Sequence, residues 1–149
     1  MLVELVVQDL GVIADLRLLL GPGMTALTGE TGAGKTMLVE ALELLVGGKA
    51  DSTLVRPGAD EATIEGRFVL DDEEVVLARV VPAVGRSRAY VNGRIAPASA
   101  LSEWGSKLVD LHGQHEHQSL LSPSVQRQAL DRFGSVDLTA LVDAKRDVA

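Results

Sequence analysis

The chain has 149 residues, a formal net charge of −7 and no cysteine. This length fits one domain with a core of its own, and the hydrophobic fraction of 46% is ordinary for a globular protein. The missing cysteines exclude disulfides and thiol chemistry, and the negative charge argues against a broad nucleic-acid-binding face. We find no signal peptide and no apolar run of about 20 residues, so we expect a cytoplasmic protein without a membrane span.

The first predicted elements are three strands followed by a helix. Apolar residues that recur or alternate predict strands at Leu2–Val7 and Val12–Leu20, and Met24–Thr28 reads as a third strand. The run Lys35–Val46 is apolar on nearly every side, which predicts a buried helix. The pair Gly47-Gly48 is expected to end that helix.

A complete G-x-x-x-x-G-K-[ST] motif lies between the third strand and the helix. Its residues are Gly29, Glu30, Thr31, Gly32, Ala33, Gly34, Lys35 and Thr36. Backbone N–H groups of such a loop bind triphosphate oxygens, and the helix adds its positive end. We expect Lys35 to reach the β- and γ-phosphates and the Thr36 hydroxyl to bind Mg²⁺. A plain glycine-rich turn is the alternative, but the filled positions and correct flanks favour a nucleotide site.

The middle of the chain predicts an antiparallel meander rather than a further βαβ unit. After a polar loop over residues 49–61, strands are predicted at Ala62–Leu70, Val75–Val81, Arg86–Val91 and Arg94–Ala96. The last two flank an Asn-Gly pair, which is the strongest short signal for a hairpin turn.

The C-terminal part predicts a helix, a strand and then two further helices. Pro97–Gly105 suggests a short helix and Lys107–Leu111 a strand. A helix is predicted from Ser122 to about Phe133, closed by Gly134. From about residue 135 apolar residues recur at helical spacing up to residue 149 without a stop signal, so the chain ends inside a helix.

Nucleotide hydrolysis needs an acidic Mg²⁺ ligand at a strand end and a group that positions water. Asp110 is the best acidic candidate, but only two apolar strand residues precede it where four are usual, so an ordinary strand-end residue is the stronger interpretation. Gln114 follows the same predicted strand, and its amide oxygen could bind Mg²⁺ or hold the attacking water.

All three histidines of the chain fall in one short segment. His112, His115 and His117, with Glu116 or Asp110, would supply enough ligands for zinc. Alternate residues of an extended segment face opposite sides, however, and no second His or Cys cluster exists. A polar loop beside the nucleotide is therefore favoured over a metal site.

Four segments together closely resemble the bacterial RecN family. They are Gly29–Thr36, Ala50–Arg56, Tyr90–Arg94 and Val109–Leu121. This family comprises DNA double-strand-break repair ATPases related to SMC proteins and ABC-type ATPases, and the resemblance runs from Met1 to about Gly134. It implies an α/β fold of the P-loop NTPase class: the N-terminal lobe of an ABC-type ATPase head over residues 1–134, with a mixed sheet around the phosphate-loop helix plus the antiparallel meander. It also implies the start of a coiled-coil helix at residues 135–149.

The resemblance implies roles for two further residues. Gln114 matches the Q-loop glutamine, which contacts Mg²⁺ and the γ-phosphate region. Arg56 matches an arginine that approaches the nucleotide and stimulates hydrolysis, and a solvated loop arginine is the alternative. Family members often carry an aromatic residue near position 10, where this chain has Leu10, and this departure leaves base stacking by the first loop open.

The resemblance further implies ATP and Mg²⁺ as cofactors, and a head split in sequence by a long coiled coil. The C-terminal half of such a head supplies the signature loop, the strand-end aspartate and the catalytic glutamate, and none of these motifs occurs here. The implied partners are that C-terminal half, a second copy in a homodimer, and DNA, in a bacterial, nucleoid-associated setting. The chain alone is expected to be inactive.

Three alternatives remain at this point. A self-contained small kinase or GTPase would need a guanine motif or an arginine-rich lid, and neither is present. A metal-dependent hydrolase built on the histidines is weaker still. Direct DNA contact is a separate hypothesis, in which Arg86, Arg88 and Arg94 cluster on the predicted hairpin with Tyr90 and meet phosphates; exposed hairpin arginines are more often plain solvated charge.

Overall fold

The structure is a computed structural model that describes residues 1–29, 33–109, 126–127, 130–131 and 133–139. The chain divides into two compact units, Met1–Val109 and Asp110–Ala149. The first unit contains the sheet, two α-helices and the described part of the phosphate loop.

One six-stranded antiparallel sheet forms the centre of the first unit, in the order β2-β1-β3-β4-β5-β6. The strands are β1 (Leu2–Leu10), β2 (Ile13–Leu19), β3 (Glu61–Leu70), β4 (Glu73–Pro82), β5 (Arg88–Val91) and β6 (Arg94–Ala96). The predicted meander is confirmed, and it continues the first hairpin as part of a single sheet. The reason is that β1 pairs with β3 as well as with β2.

The hairpin between β5 and β6 turns at the expected pair. Asn92 and Gly93 have φ angles of 50° and 74°, as a two-residue hairpin turn with a matching twist requires. Asn92 also ties the turn to β4, because its Oδ1 accepts a hydrogen bond of 2.8 Å from the Val76 N–H.

Alternation along the strands gives the sheet one buried face. Ile64, Phe68, Leu77 and Val81 are at most 2% exposed, and they share one core cluster with buried residues of both helices. The helices are α1 (Ala33–Leu45) and α2 (Ala98–Leu108).

Helix α1 is buried on one side only. Ala41, Leu44 and Leu45 are at most 1% exposed, whereas Val39 is 47% exposed. The expectation of a helix buried all round is therefore wrong for this lobe. The apolar run is longer than the face that the sheet and α2 cover, so its other side stays open in the described part of the chain.

The predicted stop of α1 is confirmed. The Gly48 N–H donates to Glu43 O at 2.8 Å, and the Gly47 N–H donates to Leu44 O at 3.3 Å. Gly47 has a φ of +89°, so the pair forms the glycine C-cap in which the last carbonyls find partners. At the same point α2 crosses closely, because an added Cβ on Gly47 would lie 2.8 Å from the Ser102 backbone nitrogen.

The third predicted strand is wrong. Residues 24–28 make no strand ladder, and Met24 and Leu27 are 96% and 53% exposed. Apolar composition shows that a segment can pair, but a strand also needs a neighbour, and none of the described strands lies alongside this one.

The strand predicted at Lys107–Leu111 is also wrong where the structure describes it. Lys107 and Leu108 are the last residues of α2, and the Val109 N–H still donates to Gly105 O at 2.9 Å. Leu101 and Gly105 are buried one turn apart, with Leu108 packed on the core, so the apolar residues follow the period of a helix. Residues 110 and 111 lie outside the described residues.

In the second unit, residues 126–127, 130–131 and 133 are helical. The predicted end at Gly134 is confirmed by its N–H, which donates to Leu130 O at 2.8 Å. Asp137 then caps a new start at Thr139, since its Oδ1 accepts from the Thr139 Oγ1 at 2.6 Å and N–H at 2.9 Å. These bonds lower the pKa of Asp137. The coiled coil at 135–149 stays a prediction. No helix in the described part is long and apolar enough to cross a membrane.

We expect Gly47→Ala to lower the free energy of unfolding by about 2 kcal/mol, because the alanine would have to adopt a positive φ and also press on α2. Urea unfolding followed by circular dichroism measures the change. Gly21→Ala is the matched control, since its Cβ would meet nothing within 4 Å and its φ is not positive. Equal stability of the two variants would contradict the close approach.

Candidate nucleotide site

The start of α1 lies inside the phosphate-loop motif. The helix begins at Ala33, and Gly29 and Gly34–Thr36 are described, whereas residues 30–32 lie outside the described residues. The first turn of α1 contains no acidic residue. Its positive end is therefore not neutralised from within the helix and suits an anion.

Lys35 folds back over the loop that precedes it. Its Nζ donates to Gly29 O at 2.5 Å, so the ammonium lies at the mouth of the loop. Lys35 is half-buried and the neighbouring Thr36 is exposed. An ammonium, the N–H groups of a first helical turn and an accessible hydroxyl fit a polyphosphate with Mg²⁺, because the cation prefers oxygen ligands and the phosphates need donors.

Arg56 belongs to a loop that is joined to the turn between β1 and β2. Its N–H donates to Asp9 O at 2.8 Å, and its Nη1 donates to Val12 O at 2.9 Å. An isolated bridge between Leu10 and Val55 closes the same junction. The half-buried Arg56 side chain is therefore held in place and is not a freely solvated loop arginine.

The turn between β1 and β2 packs on the beginning of α1. An added Cβ on Gly11 would lie 2.5 Å from Met37 Sδ, and Met37 directly follows Thr36. Arg56 reaches this same turn through Val12 O, so it is placed at the phosphate-loop end of the helix. This brace was missed from sequence, because a backbone carbonyl acceptor has no signature; only Gly11 hinted at a close approach.

Leu10 is fully buried in the core. Its side chain packs with the sheet and is not available to stack on a base. Where the RecN family often has an aromatic residue, this chain therefore has a leucine of the core. The apolar side chain of this turn that faces solvent is Val12, which is 58% exposed.

Asp51 orders the loop that follows α1. Its Oδ1 accepts from the Thr53 N–H at 2.9 Å and from the Thr53 Oγ1 at 2.8 Å, capping the 3-10 turn Ser52–Leu54. These hydrogen bonds to the charged form lower the pKa of Asp51. The Asp-x-Thr spacing was a readable sequence signal for this cap.

The remaining candidates lie outside the described residues. They are Asp110, His112, Gln114, His115, Glu116 and His117. The Mg²⁺ role of Gln114 and the open role of the histidines therefore stay predictions.

The arginines of the hairpin do not form the expected cluster. Arg88 forms an ion pair with Glu61. Arg94 pairs with Val91 across the hairpin, so the two residues lie on the same face of the sheet. Arg88 is three positions before Val91 on β5 and therefore lies on the opposite face. Arg86 precedes β5 and is exposed. The sequence places these residues close along the chain, but strand alternation separates them.

Comparison with known proteins assigns this arrangement to a family. Residues 4–91 match the family model described as AAA domain. The chain belongs to this family. The matched range includes most of β1, the phosphate loop, α1 and the sheet to the end of β5.

The AAA domain is also similar to curated DNA repair proteins RecN. It is 47% identical to RecN of Streptomyces coelicolor over 85% of this chain and 25% of that protein. For RecN of Vibrio cholerae the identity is 37%, over 93% of this chain and 28% of the relative. For RecN of Mycobacterium tuberculosis it is 43%, over 91% and 27%. The resemblance to RecN is confirmed, and the chain spans about a quarter of the length of these relatives.

Solved structures confirm the fold of an ATPase head lobe. A chain from work on ATP-driven dimerization and DNA-stimulated activation of SMC ATPases aligns with a TM-score of 0.67 at 22% identity, over 87% of this chain and 97% of that one. The recombination mediator protein RecF with ATP aligns at 0.64 and 20% identity, over 98% and 42%. The SMC head domain from Thermotoga maritima aligns at 0.62 and 23%, over 72% and 43%.

Proposed function

We propose that this AAA domain is the ATP-binding half of an SMC-like ATPase head that acts in DNA double-strand-break repair and recombination. The observation that carries the proposal is the Lys35 ammonium at Gly29 O, at the uncompensated start of α1. Identity of 37–47% to RecN proteins over most of the chain supports the repair context.

In this proposal each site residue has a defined task. The first turn of α1 and Lys35 would bind the phosphates, and Thr36 and the predicted ligand Gln114 would bind Mg²⁺. Bound Mg²⁺ would neutralise charge between the β- and γ-phosphates. Arg56, braced on Val12 O at the same end of the helix, is positioned to approach the nucleotide.

The same lobe offers a surface for the C-terminal half of the head. Residues 24–28 have no strand partner among the described residues, and Met24, Leu27 and Val39 expose large apolar side chains. An unpaired apolar segment beside the phosphate loop suits a strand from another part of the protein. Hydrolysis then needs that half, in a homodimer in which two heads enclose the nucleotide.

We expect Lys35→Ala to abolish ATP binding in the full-length protein, because it removes the cation at the loop mouth. Fluorescence titration with a labelled ATP analogue measures the loss. Lys107→Ala is the control, since Lys107 is in the last turn of α2, which packs on the other end of α1. Micromolar binding by the Lys35 variant would refute the site.

We expect residues 1–149 alone to show negligible ATP turnover and to regain it when the C-terminal half is added. Leu27→Asp should weaken association of the two halves about tenfold or more, because it places a charge in the pairing segment. Val84→Asp, at a side chain that is 91% exposed in the connection of β4 to β5, is the control. Robust hydrolysis by residues 1–149 alone would instead favour a self-contained kinase or GTPase.

Direct DNA contact by this lobe rests on Arg86 and Arg94, since Arg88 is engaged by Glu61. We expect Arg86→Ala combined with Arg94→Ala to weaken DNA binding by the full-length protein and to lower its salt dependence by about two phosphate contacts. Arg17→Ala, on the far edge strand β2, is the control. If both variants bind DNA as the wild type does at every salt concentration, this lobe does not contact DNA through the hairpin.

A further inference from the structure

A cleft of about 300 Å³ lies between the segment after α1 and the connection of β4 to β5. Lys49 and Asp51 lie on one side of it, and Gly85 and Ser87 lie on the other. The cleft is far from the nucleotide site, because the 13 residues of α1 separate the phosphate loop from Lys49 by about 20 Å.

Arg79 is a buried arginine next to this cleft. It alternates with Leu77 and Val81 along β4, so it lies on the buried face of the sheet, and it is only 5% exposed. Its neighbours across the ladder are Ile64 on β3 and Ala89 on β5, both apolar.

The guanidinium of Arg79 lies behind the wall of the cleft and does not itself line it. Its Nη2 donates to Ser87 Oγ at 2.9 Å, and Ser87 lines the cleft. Its Nε has no hydrogen-bond partner, and no carboxylate forms an ion pair with it, within the described part of the chain. Burial lowers the pKa of Arg79.

The second arginine with an unpartnered buried Nε is different. Arg67 forms ion pairs with Glu4 at 3.0 Å and Glu74 at 3.5 Å on the open face of the sheet. A buried guanidinium is normally compensated in this way, since an unpaired buried charge is costly. The guanidinium of Arg79 contacts one neutral hydroxyl, whereas that of Arg67 contacts two carboxylates. The positive charge of Arg79 is therefore not balanced by a partner among the described residues.

We propose that the cleft binds one small oxyanion of the phosphate class, held by Ser87 from the wall and Lys49 from the rim, with the charge of Arg79 directly behind Ser87. Because Ser87 Oγ accepts from Arg79, its O–H is left to donate to the anion. Asp51 also lines the cleft and keeps its negative charge, because the hydrogen bonds from Thr53 lower its pKa. Lys49 balances that charge, so the net positive charge at the cleft comes from Arg79. A charge that is only 5% exposed acts on a small anion or a strand-end phosphate that enters the cleft, not on the side of a duplex.

The test is a titration of the ¹⁵N-labelled chain with inorganic phosphate, followed through amide chemical shifts. We expect shifts at Ala50, Gly85 and Ser87 that are separate from those of the phosphate loop. Arg79→Met should weaken the response at the cleft about tenfold or more and leave the phosphate-loop response unchanged. Arg88→Met, an arginine on the other face of the sheet, should change neither.

Shifts confined to the phosphate loop, or equal cleft affinity in Arg79→Met and the wild type, would overturn the proposal. Should Arg79→Met fail to fold, Arg79→Lys and Ser87→Ala take its place, and unchanged cleft binding in both has the same meaning. Two oligonucleotides distinguish the source of the anion. A cleft response only to the 5′-phosphorylated strand assigns a strand end, whereas a response to inorganic phosphate but to neither strand assigns the free ion.

Discussion

The seating of α1 on the sheet is the contact on which the site depends. A Cβ on Gly66 of β3 would lie 2.7 Å from Leu45 Cδ1, so the absence of a side chain on Gly66 leaves room for Leu45 of the helix. At the other end of α1, Gly11 leaves room for Met37 in the same way. Because the helix packs at both ends, packing sets the direction of its positive end.

This packing positions the binding groups but leaves the lobe open on one flank. The buried side of α1 carries Ala41, Leu44 and Leu45, and the other side exposes Val39. The segment before the phosphate loop exposes Met24 and Leu27. A lobe of an ATPase head that is completed by a second half would leave its surface in this state. Under the proposed function binding and hydrolysis would be separable, since the first would need the start of α1 and the second would need groups of the C-terminal half.

Local chemistry predicted much of this fold, and long-range pairing explains the failures. Asn92-Gly93, Gly47-Gly48 and the phosphate-loop helix follow from the backbone needs of a few neighbouring residues, so they were readable. Residues 24–28 were misread because a strand requires a partner that apolar composition does not reveal. The strand prediction failed at Lys107 and Leu108 because a short apolar run is compatible with a helix and with a strand. Packing of α2 on the core favours the helix. The brace of Arg56 on Val12 O joins positions 44 residues apart, which no local pattern encodes.

Arg79 differs from other arginines of the sheet in its lack of a carboxylate partner among the described residues. Arg17, Arg67 and Arg88 all have carboxylate partners. The chain has 21 acidic residues against 14 basic ones, so acids are not scarce. Arg79 lacks a carboxylate among the described residues because its ladder neighbours are apolar and its reach ends at Ser87. An uncompensated buried charge is costly. An anion in the cleft would offset this cost, and apolar packing around Arg79 would not.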